Sequence, residues 1–305
     1  MYYRTIRNDI NKNKAITLAI MVFVAAAAML VSLAAILVVN LSGAIDALMV
    51  RSKTPHFMQM HAGDLDLARL ESFVDQRGEI EDFQVVEFLN VDSAQFIFEE
   101  GSLAGSVQDN GFSIQNERFD YLLDLDGNVI QVSDGEVYVP IPYFQDGVAN
   151  VGDQLSVFGK KFTVAGFHRD SQMNSLLSSS KRFLVSENDF AEMMDIGSVE
   201  YLIEFRLNDL ADLGAFETAY TSAGLESNGP TITYPLYKML NGLSDGLMIA
   251  VILLVSALVV AVAFLCIRFT LLAKIEEDYR EIGVLKALGL RVSDIKRIYL
   301  AKYAA

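Results

Sequence analysis

The sequence contains few of the residues that build disulfides and metal centres. Its 305 residues include one cysteine, three histidines and no tryptophan. Cys266 lies inside a long apolar run, so the rest of the chain forms no disulfide. His56, His61 and His168 lack the spacing of zinc ligands. These absences exclude a disulfide scaffold and argue against a zinc enzyme.

Phosphate-binding motifs are also absent. No G-x-x-x-x-G-K-[ST] sequence occurs, so the chain cannot hydrolyse ATP by the mechanism that this motif serves. Asp120, Asp124 and Asp126 with Gly127 partly match a calcium loop, but the distal glutamate is missing and Asp-Gly favours a hairpin turn. We therefore predict no catalytic residue, metal or cofactor on this chain, with calcium at the acidic loop as the minor alternative.

Two long apolar runs dominate what the sequence does contain. They cover residues 15–39 and 247–267, and each exceeds the roughly 20 residues that a helix needs to cross about 30 Å of hydrocarbon. A signal peptide would have a shorter apolar core and a small-residue cleavage site, so the first run is predicted to be an uncleaved anchor. The sequence thus predicts two transmembrane helices.

Charge predicts the orientation of these helices. Basic residues precede the first run and follow the second. They are Arg4, Arg7, Lys12 and Lys14 before residue 15, and Arg268, Lys274, Arg280 and Lys286 after residue 267. Residues 1–14 and 268–305 hold 12 of the 24 basic and 6 of the 39 acidic residues, so the middle has 12 basic and 33 acidic residues, net −21. We expect residues 40–246 outside a bacterial cell membrane, with no nucleic-acid partner.

Helical stripes continue beyond both runs on the outer side. Leu41, Ile45 and Leu48 follow the first run, and Leu236 and Leu240 precede the second. Exposed apolar stripes outside a membrane need burial. We predict that residues 40–54 and 232–246, here named the stalk segments, pair as an antiparallel stalk; the alternative is two independent helices.

The region between the stalk segments, residues 55–231, is predicted to be a mixed α/β domain. Asp64 begins a helix that ends near Gly78, and strands cover residues 84–91, 95–98, 119–125, 129–132, 155–158 and 162–167. A second lobe is expected over about 171–225, with a strand at 182–185, a helix that Ser186 and Asp189 begin, a strand at 201–207 and a helix that ends near Gly224. The fold class is therefore an α-helical membrane protein with a mixed α/β extracytoplasmic domain.

A charged amphipathic segment follows the second run. Ile275, Tyr279, Ile282, Leu285 and Leu288 recur at helical steps, so one face of the helix is apolar. Gly289 then closes the helix, and Ser293 with Asp294 begins another.

Ten consecutive residues of this segment resemble the cytoplasmic coupling region of FtsX-like ABC transporter permeases, the superfamily of MacB and the lipoprotein-release permeases. They are Arg280, Glu281, Ile282, Gly283, Val284, Leu285, Lys286, Ala287, Leu288 and Gly289. The resemblance implies that Arg280, Glu281, Ile282, Gly283, Leu285, Lys286, Leu288 and Gly289 dock on a separate ATPase, which binds ATP and magnesium. The alternative is an interfacial helix in the lipid headgroups.

Residues 151–155 and 161–167 resemble the two halves of the core hairpin of MacB-like external domains. Gly152 lies in the first half and Gly166 in the second. The whole resemblance implies a permease subunit, not an enzyme, that works on an extracytoplasmic peptide, lipid or protein. Its expected partners are an ABC ATPase, membrane lipid and a second permease copy or half. Because such permeases have at least four spans, we expect this chain to be the first part of a longer one. The alternatives are a two-span receptor or scaffold and an activator of a cell-wall hydrolase.

Overall fold

The computed structural model describes residues 14–99, 101–175, 177–277, 279–289, 291–293, 295 and 297. The chain divides into two compact units. One contains the residues up to Asn40 and from Gly246 onward, and the other is Leu41–Asp245. Helices α1, Lys14–Arg51, and α6, Tyr234–Glu277, each run from one unit into the other.

The first unit is helical. It holds most of α1, most of α6 and the short helix α7, Tyr279–Ala287. Met21–Arg51 and Ile249–Phe269 are long and apolar enough to cross a membrane, with mean hydropathies of 2.9 and 3.2. Large apolar side chains on both stretches are exposed, whereas Ala27, Ala34, Ser256 and Ala263 are buried. Small residues at such positions let helices approach closely.

The second unit is built on one eleven-stranded sheet. Its strand order is β11-β1-β10-β2-β5-β9-β6-β8-β7-β3-β4. The strands are β1 Phe57–Ala62, β2 Ile80–Val91, β3 Ile97–Phe98, β4 Gly101–Ser102, β5 Asp109–Ser113, β6 Glu136–Pro140, β7 Gln154–Val157, β8 Lys160–His168, β9 Ser180–Leu184, β10 Ser198–Leu207 and β11 Thr231–Thr233. The helices are α2 Leu67–Asp75, α3 Ile141–Gln145, α4 Glu187–Met193 and α5 Leu213–Ser222. The mixed α/β class predicted for this region is confirmed.

One face of strands β1, β10 and β2 packs against α2 and α5. Phe57, Phe73, Phe205, Phe216 and Tyr220 form its centre, and their ring centroids lie 5.0 to 6.5 Å apart. Aromatic pairs at these separations stabilise a core beyond their buried area. We name this surface the aromatic face.

The opposite face of the same strands packs against the ends of the two long helices. Met49 of α1 and Tyr237 of α6 are buried there. Their neighbours on the sheet are Met58, Met60, Val86, Phe88 and Leu202, with Met173 from a loop. We name this surface the stalk face. It positions the functional site described below.

Strands β3 to β9 enclose a second core together with α3 and α4. Phe96, Phe112 and Phe183 are fully buried in it. The predicted β7–β8 hairpin is confirmed, with Phe158 and Gly159 at its turn. Both have positive φ angles, 48° and 87°, as two-residue hairpin turns of the mirror-image type require.

A second predicted hairpin, over 119–125 and 129–132, forms only around its turn. Leu123 and Val129 make one antiparallel bridge, and the Asp124 N–H donates to the Asn128 carbonyl at 2.9 Å. The Asp124 carboxylate accepts the backbone N–H groups of Asp126 and Asn128 at 2.9 and 2.8 Å, which closes the turn. The predicted strands do not form, because the N–H groups of Asp120 and Tyr121 donate to the carbonyls of Lys53 and Ser52 instead.

Smaller differences concern element boundaries. The first helix of the domain begins at Asp66, not Asp64, because the Asp66 carboxylate accepts the Arg69 N–H at 3.1 Å. Residues 95–98 form the end of a short 3₁₀ helix and a two-residue strand. Ser186 begins α4 and Gly224 follows α5 with φ 61°, as predicted.

Residues 171–225 do not form a lobe of their own. Strand β9 pairs with β5 and β6, and α4 joins the core around Phe183. Strand β10 instead lies between β1 and β2, and α5 packs on the aromatic face. Strand and helix alternate locally as predicted, but the pairing partners come from distant parts of the chain.

Candidate functional site

The segment predicted to couple to an ATPase is helix α7 and the turn after it. Gly289 ends the helix as predicted, with φ 89° and its N–H bonded to the Lys286 carbonyl at 3.0 Å. Val292 and Ser293 are helical, so Ser293 lies inside the next helical turn and does not precede it. Asp294 is outside the described residues.

Apolar side chains of this segment are exposed. Tyr279, Val284 and Leu288 have 77%, 61% and 73% of their surface accessible, and Ile282 is half-buried. Arg280 and Lys286 are exposed as well. A Cβ added at Gly283 would meet nothing within 4 Å. Glu281 and Leu285 lie in α7, and their side chains are outside the described structure.

A second group of functional candidates lies beside the stalk face, and sequence reasoning did not find it. It is centred on Arg182 of β9, which is fully buried. Arg182 donates from Nε and Nη2 to the two carboxylate oxygens of Asp170, at 2.7 Å each. It donates from Nη1 to Asp120 at 2.6 Å. One guanidinium therefore holds two buried carboxylates in fixed geometry.

Glu204 of β10 lies next to this ion triplet. It is fully buried and accepts Gln84 Nε2 at 2.8 Å and Gln172 Nε2 at 2.5 Å. The phenol of Tyr237 donates to the other end of the Gln172 amide. We name Arg182, Asp120, Asp170 and Glu204 the ionic cluster. Every charged group in it has a hydrogen-bond partner, as buried charges require.

Burial and neighbouring charge set the ionisation of the cluster. Burial opposes ionisation of Asp170, but the Arg182 guanidinium outweighs it and lowers the pKa of Asp170 to about 2. Glu204 has no cation in direct contact, so burial first and the charge of Asp120 second raise its pKa well above the usual value. The structure thus places a carboxyl that favours its neutral form beside one that stays ionised.

Two further titratable groups border the cluster. Lys181 donates to the carbonyls of Met173 and Ser175, and burial lowers its pKa to about 8. The Nε2 atom of His168 lies 2.7 Å from the Arg182 carbonyl oxygen. Burial lowers the pKa of the His168 imidazole to about 4. At neutral pH the imidazole is therefore uncharged.

Backbone and side-chain bonds connect the cluster to both stalk segments. The N–H groups of Asp120 and Tyr121 donate to the carbonyls of Lys53 and Ser52, at the end of α1, at 3.2 and 2.8 Å. Asn241 of α6 donates to the Ser171 carbonyl at 2.8 Å. Several buried atoms nearby lack a protein partner in the described structure: Ser52 Oγ, His168 Nδ1, Ser171 Oγ and Asn174 Oδ1. Polar groups of this kind are usually satisfied by ordered water.

The three histidines lie apart in separate contacts. His56 Nδ1 accepts the Leu207 N–H at 2.9 Å, and His61 Nε2 lies 2.9 Å from the Asp64 carbonyl. Among the described residues, no group of three or more potential ligands could hold a metal ion. Asp120, which the sequence associates with the acidic loop, binds Arg182, whereas Asp124 and Asp126 remain in the turn.

One known family matches the last part of the sequence. Residues 253–305 match the family FtsX-like permease C-terminal. The predicted resemblance to FtsX-like permeases is confirmed over this segment. The match includes the end of α6, all of α7 and the turn at Gly289.

Solved structures give weaker likenesses. The periplasmic region of MacB from Actinobacillus actinomycetemcomitans aligns with a TM-score of 0.35 and 13% identity, over 63% of this chain and 94% of that chain. A putative lipoprotein from Bacillus anthracis aligns with a TM-score of 0.34 and 11% identity, over 58% and 96%. No curated protein matches the sequence.

Proposed function

We propose that this chain is the permease subunit of an ABC transport system, in which a separate subunit hydrolyses ATP. The single observation that carries the proposal is the FtsX-like permease match over residues 253–305. Two apolar helices of membrane-spanning length support a place in the bacterial cell membrane. Basic residues at both ends favour residues 40–246 on the outer side.

In this proposal α7 is the site of contact with the ATPase. The exposed apolar side chains of this segment include Val284 and Leu288. Apolar patches exposed to water commonly mark interaction sites, so these side chains support a partner surface here. The open space around Gly283 would accommodate close approach by another chain. Arg280, Glu281, Ile282, Leu285, Lys286 and Gly289 complete the proposed contact. ATP and magnesium would bind to the partner and not to this chain.

The mixed α/β domain would then perform the work outside the membrane. Motion of α7 would pass along α6 and α1 to the stalk face, where Tyr237 and Met49 are part of the domain's core. A peptide, lipid or protein is the proposed substrate class. The sheet and helices of the domain provide a rigid body on which such motion can act.

The proposal is tested by purification of the tagged full-length protein from its native membrane. We expect an ATPase to copurify with the wild type. Leu288→Asp would place a charge in the contact, and loss of a central apolar contact costs at least about 2 kcal/mol, or roughly 30-fold in affinity. Copurified ATPase activity should fall accordingly. Leu285→Asp tests the next turn of the same helix.

Val107→Asp is the matched control. Val107 is an exposed apolar residue of the domain, 98% accessible, so the same change should leave ATPase recovery at the wild-type level. Equal recovery with Leu288→Asp and Val107→Asp would contradict the coupling site. Absence of any ATPase from the wild type would favour a receptor or scaffold, and recovery of a cell-wall hydrolase instead would favour an activator.

A further inference from the structure

We propose that the ionic cluster is a joint that couples the two stalk segments to each other through the interior of the external domain. Arg182 is the positioning residue of this joint. The inference deepens the proposed function, since a permease that works outside the membrane needs its helices to move the domain as a unit.

The α1 side of the joint is a backbone attachment. Asp120 and Tyr121 donate their N–H groups to the carbonyls of Lys53 and Ser52, in the turn that directly follows α1, so the chain at residue 120 is attached next to the helix end. Asp120 has a positive φ of 55°, which is uncommon for a residue other than glycine. Its carboxylate is bound by Arg182 and by Asn116 Nδ2, at 2.6 and 3.1 Å. These bonds hold residue 120 in that conformation.

Arg182 carries the connection across the sheet to the next loop. The same guanidinium that binds Asp120 binds both oxygens of Asp170. Asp170 Oδ1 in turn accepts the Gln172 N–H at 2.8 Å. A bidentate guanidinium–carboxylate pair fixes direction as well as distance, so a shift of one carboxylate displaces the other.

The α6 side of the joint is formed by side chains. Tyr237 donates its hydroxyl to the Gln172 amide oxygen, and Asn241 donates to the Ser171 carbonyl. Ser175 Oγ donates to the Leu240 carbonyl at 2.9 Å. Three successive contacts thus bind one turn of α6 to the loop that begins at Asp170. The hydrogen-bonded path from α1 to α6 is buried at Arg182, Gln172, Tyr237 and Asn241.

An exposed ion pair also joins the stalk segments. Lys238 Nζ lies 2.5 Å from Asp46 Oδ1, but both side chains are about half exposed, at 50% and 49%. Exposed ion pairs are screened by water and salt. The buried path through Arg182 is therefore a stronger connection than this ion pair, and it adds directional bonds to the packing of Met49 and Tyr237 on the stalk face.

Amide hydrogen exchange of the full-length protein in lipid nanodiscs tests the joint. Tyr237→Phe removes one hydroxyl and leaves the ring that fills the stalk face. We expect exchange to become roughly 2- to 10-fold faster at α6 residues near position 237, the effect of one lost hydrogen bond on local opening. The Asp120 and Tyr121 amides, on the α1 side, should become faster by a similar factor.

Tyr220→Phe is the matched control, because Tyr220 also donates a hydroxyl, to the Glu226 carbonyl at 2.7 Å, but on the aromatic face. It should leave the Asp120 and Tyr121 amides at wild-type rates. Asp120→Asn probes the joint from the other side and should speed exchange near Tyr237 and Asn241, since coupling is reciprocal.

An effect of Tyr237→Phe that is confined to α6, with unchanged Asp120 and Tyr121 amides, would overturn the joint. So would an equal effect of Tyr220→Phe on those amides. No ATPase is present in this measurement. A negative result in the hydrogen-exchange measurement would therefore not contradict the proposed permease function. A failure to copurify an ATPase would likewise not contradict the joint.

Discussion

Strand β10 presents two chemically different faces. Ile203, Phe205 and Leu207 point to the aromatic face, where α2 and α5 cover them. Leu202 and Glu204 lie on the other face, beside the ends of α1 and α6. Alternation along one strand thus separates the aromatic core from the apolar stalk face, which the ionic cluster borders. The two faces differ in what they attach.

The difference teaches where this domain places buried charge. Aromatic packing stabilises the domain without fixing hydrogen-bond direction, and it holds helices that belong to the domain itself. The stalk face instead binds helices that lead toward the first unit, and the ionic cluster supplies directional bonds there. A buried ion triplet is weak support for stability, so a role in orientation is the more informative hypothesis.

The largest expected effects come from removing Arg182 of the ionic cluster and, separately, Phe205 of the aromatic face. Arg182→Met leaves Asp120 and Asp170 buried without their cation, and we expect a loss of about 3–5 kcal/mol in the free energy of unfolding. Phe205→Ala leaves a void and should cost a similar amount, about 3–5 kcal/mol. Urea unfolding of the purified protein, followed by circular dichroism, measures both.

Rescue distinguishes the two losses. Adding Asp120→Asn and Asp170→Asn to Arg182→Met should recover a large part of the stability, because the cost is uncompensated charge. The same two changes added to Phe205→Ala should recover nothing. Equal responses in both backgrounds would show that the faces do not differ in the way described.

Acid should weaken the stalk face through His168. The pKa of His168 is about 4 in the folded protein against an ordinary value of 6.5, so the unfolded chain binds the proton first as pH falls. Its contribution to stability is complete above pH 6.5 and is lost between pH 6.5 and 4, by about 3 kcal/mol at most. His168→Gln should flatten the dependence of unfolding free energy on pH in that window. An unchanged slope would contradict the neutral buried imidazole.

The smallest expected effect concerns the exposed pair between the stalk segments. Lys238→Met removes the ion pair with Asp46 but keeps the length of the side chain. A surface pair contributes about 0–1 kcal/mol, so the melting temperature should change little and salt should not restore any loss. If Lys238→Met lost as much unfolding free energy as Arg182→Met, the exposed ion pair and not the buried ionic cluster would be the main connection between the stalk segments.

Much of the domain's local structure was predictable because its signals are local. Ser186 is followed three residues later by Asp189, and Gly159 lies between two alternating runs; both patterns determine the element nearby. The hairpin over 119–132 is limited to one bridge beside its turn, because the backbone donors of Asp120 and Tyr121 bind the carbonyls of Lys53 and Ser52, which lie far away in the sequence. Strand order failed for another reason. The two strands within residues 171–225 pair with β1, β2, β5 and β6, which all lie earlier in the sequence, and periodicity does not encode pairing.

The segment proposed to contact an ATPase and the ionic cluster differ in the same way. The ten residues from Arg280 to Gly289 are contiguous, so a family resemblance could identify them. Arg182, Asp120, Asp170 and Glu204 are scattered over 85 positions of the sequence, and each alone resembles a solvated charge. One local signal existed: Lys181 and Arg182 precede Phe183 and Leu184 within a strand whose five residues are all buried. Charges inside an apolar strand indicate an internal partner.

The most direct test of the account is hydrogen exchange in the full-length protein purified with the ATPase that the proposed function requires. Exchange is compared between the nucleotide-free complex and a complex trapped with ATP by a hydrolysis-deficient ATPase. The account predicts that ATP changes exchange at α7, at the α6 turn around Tyr237 and at the Asp120 and Tyr121 amides together, and that Leu288→Asp abolishes all three changes. A change that is restricted to α7, with the amides around the ionic cluster unaffected by ATP, would contradict it.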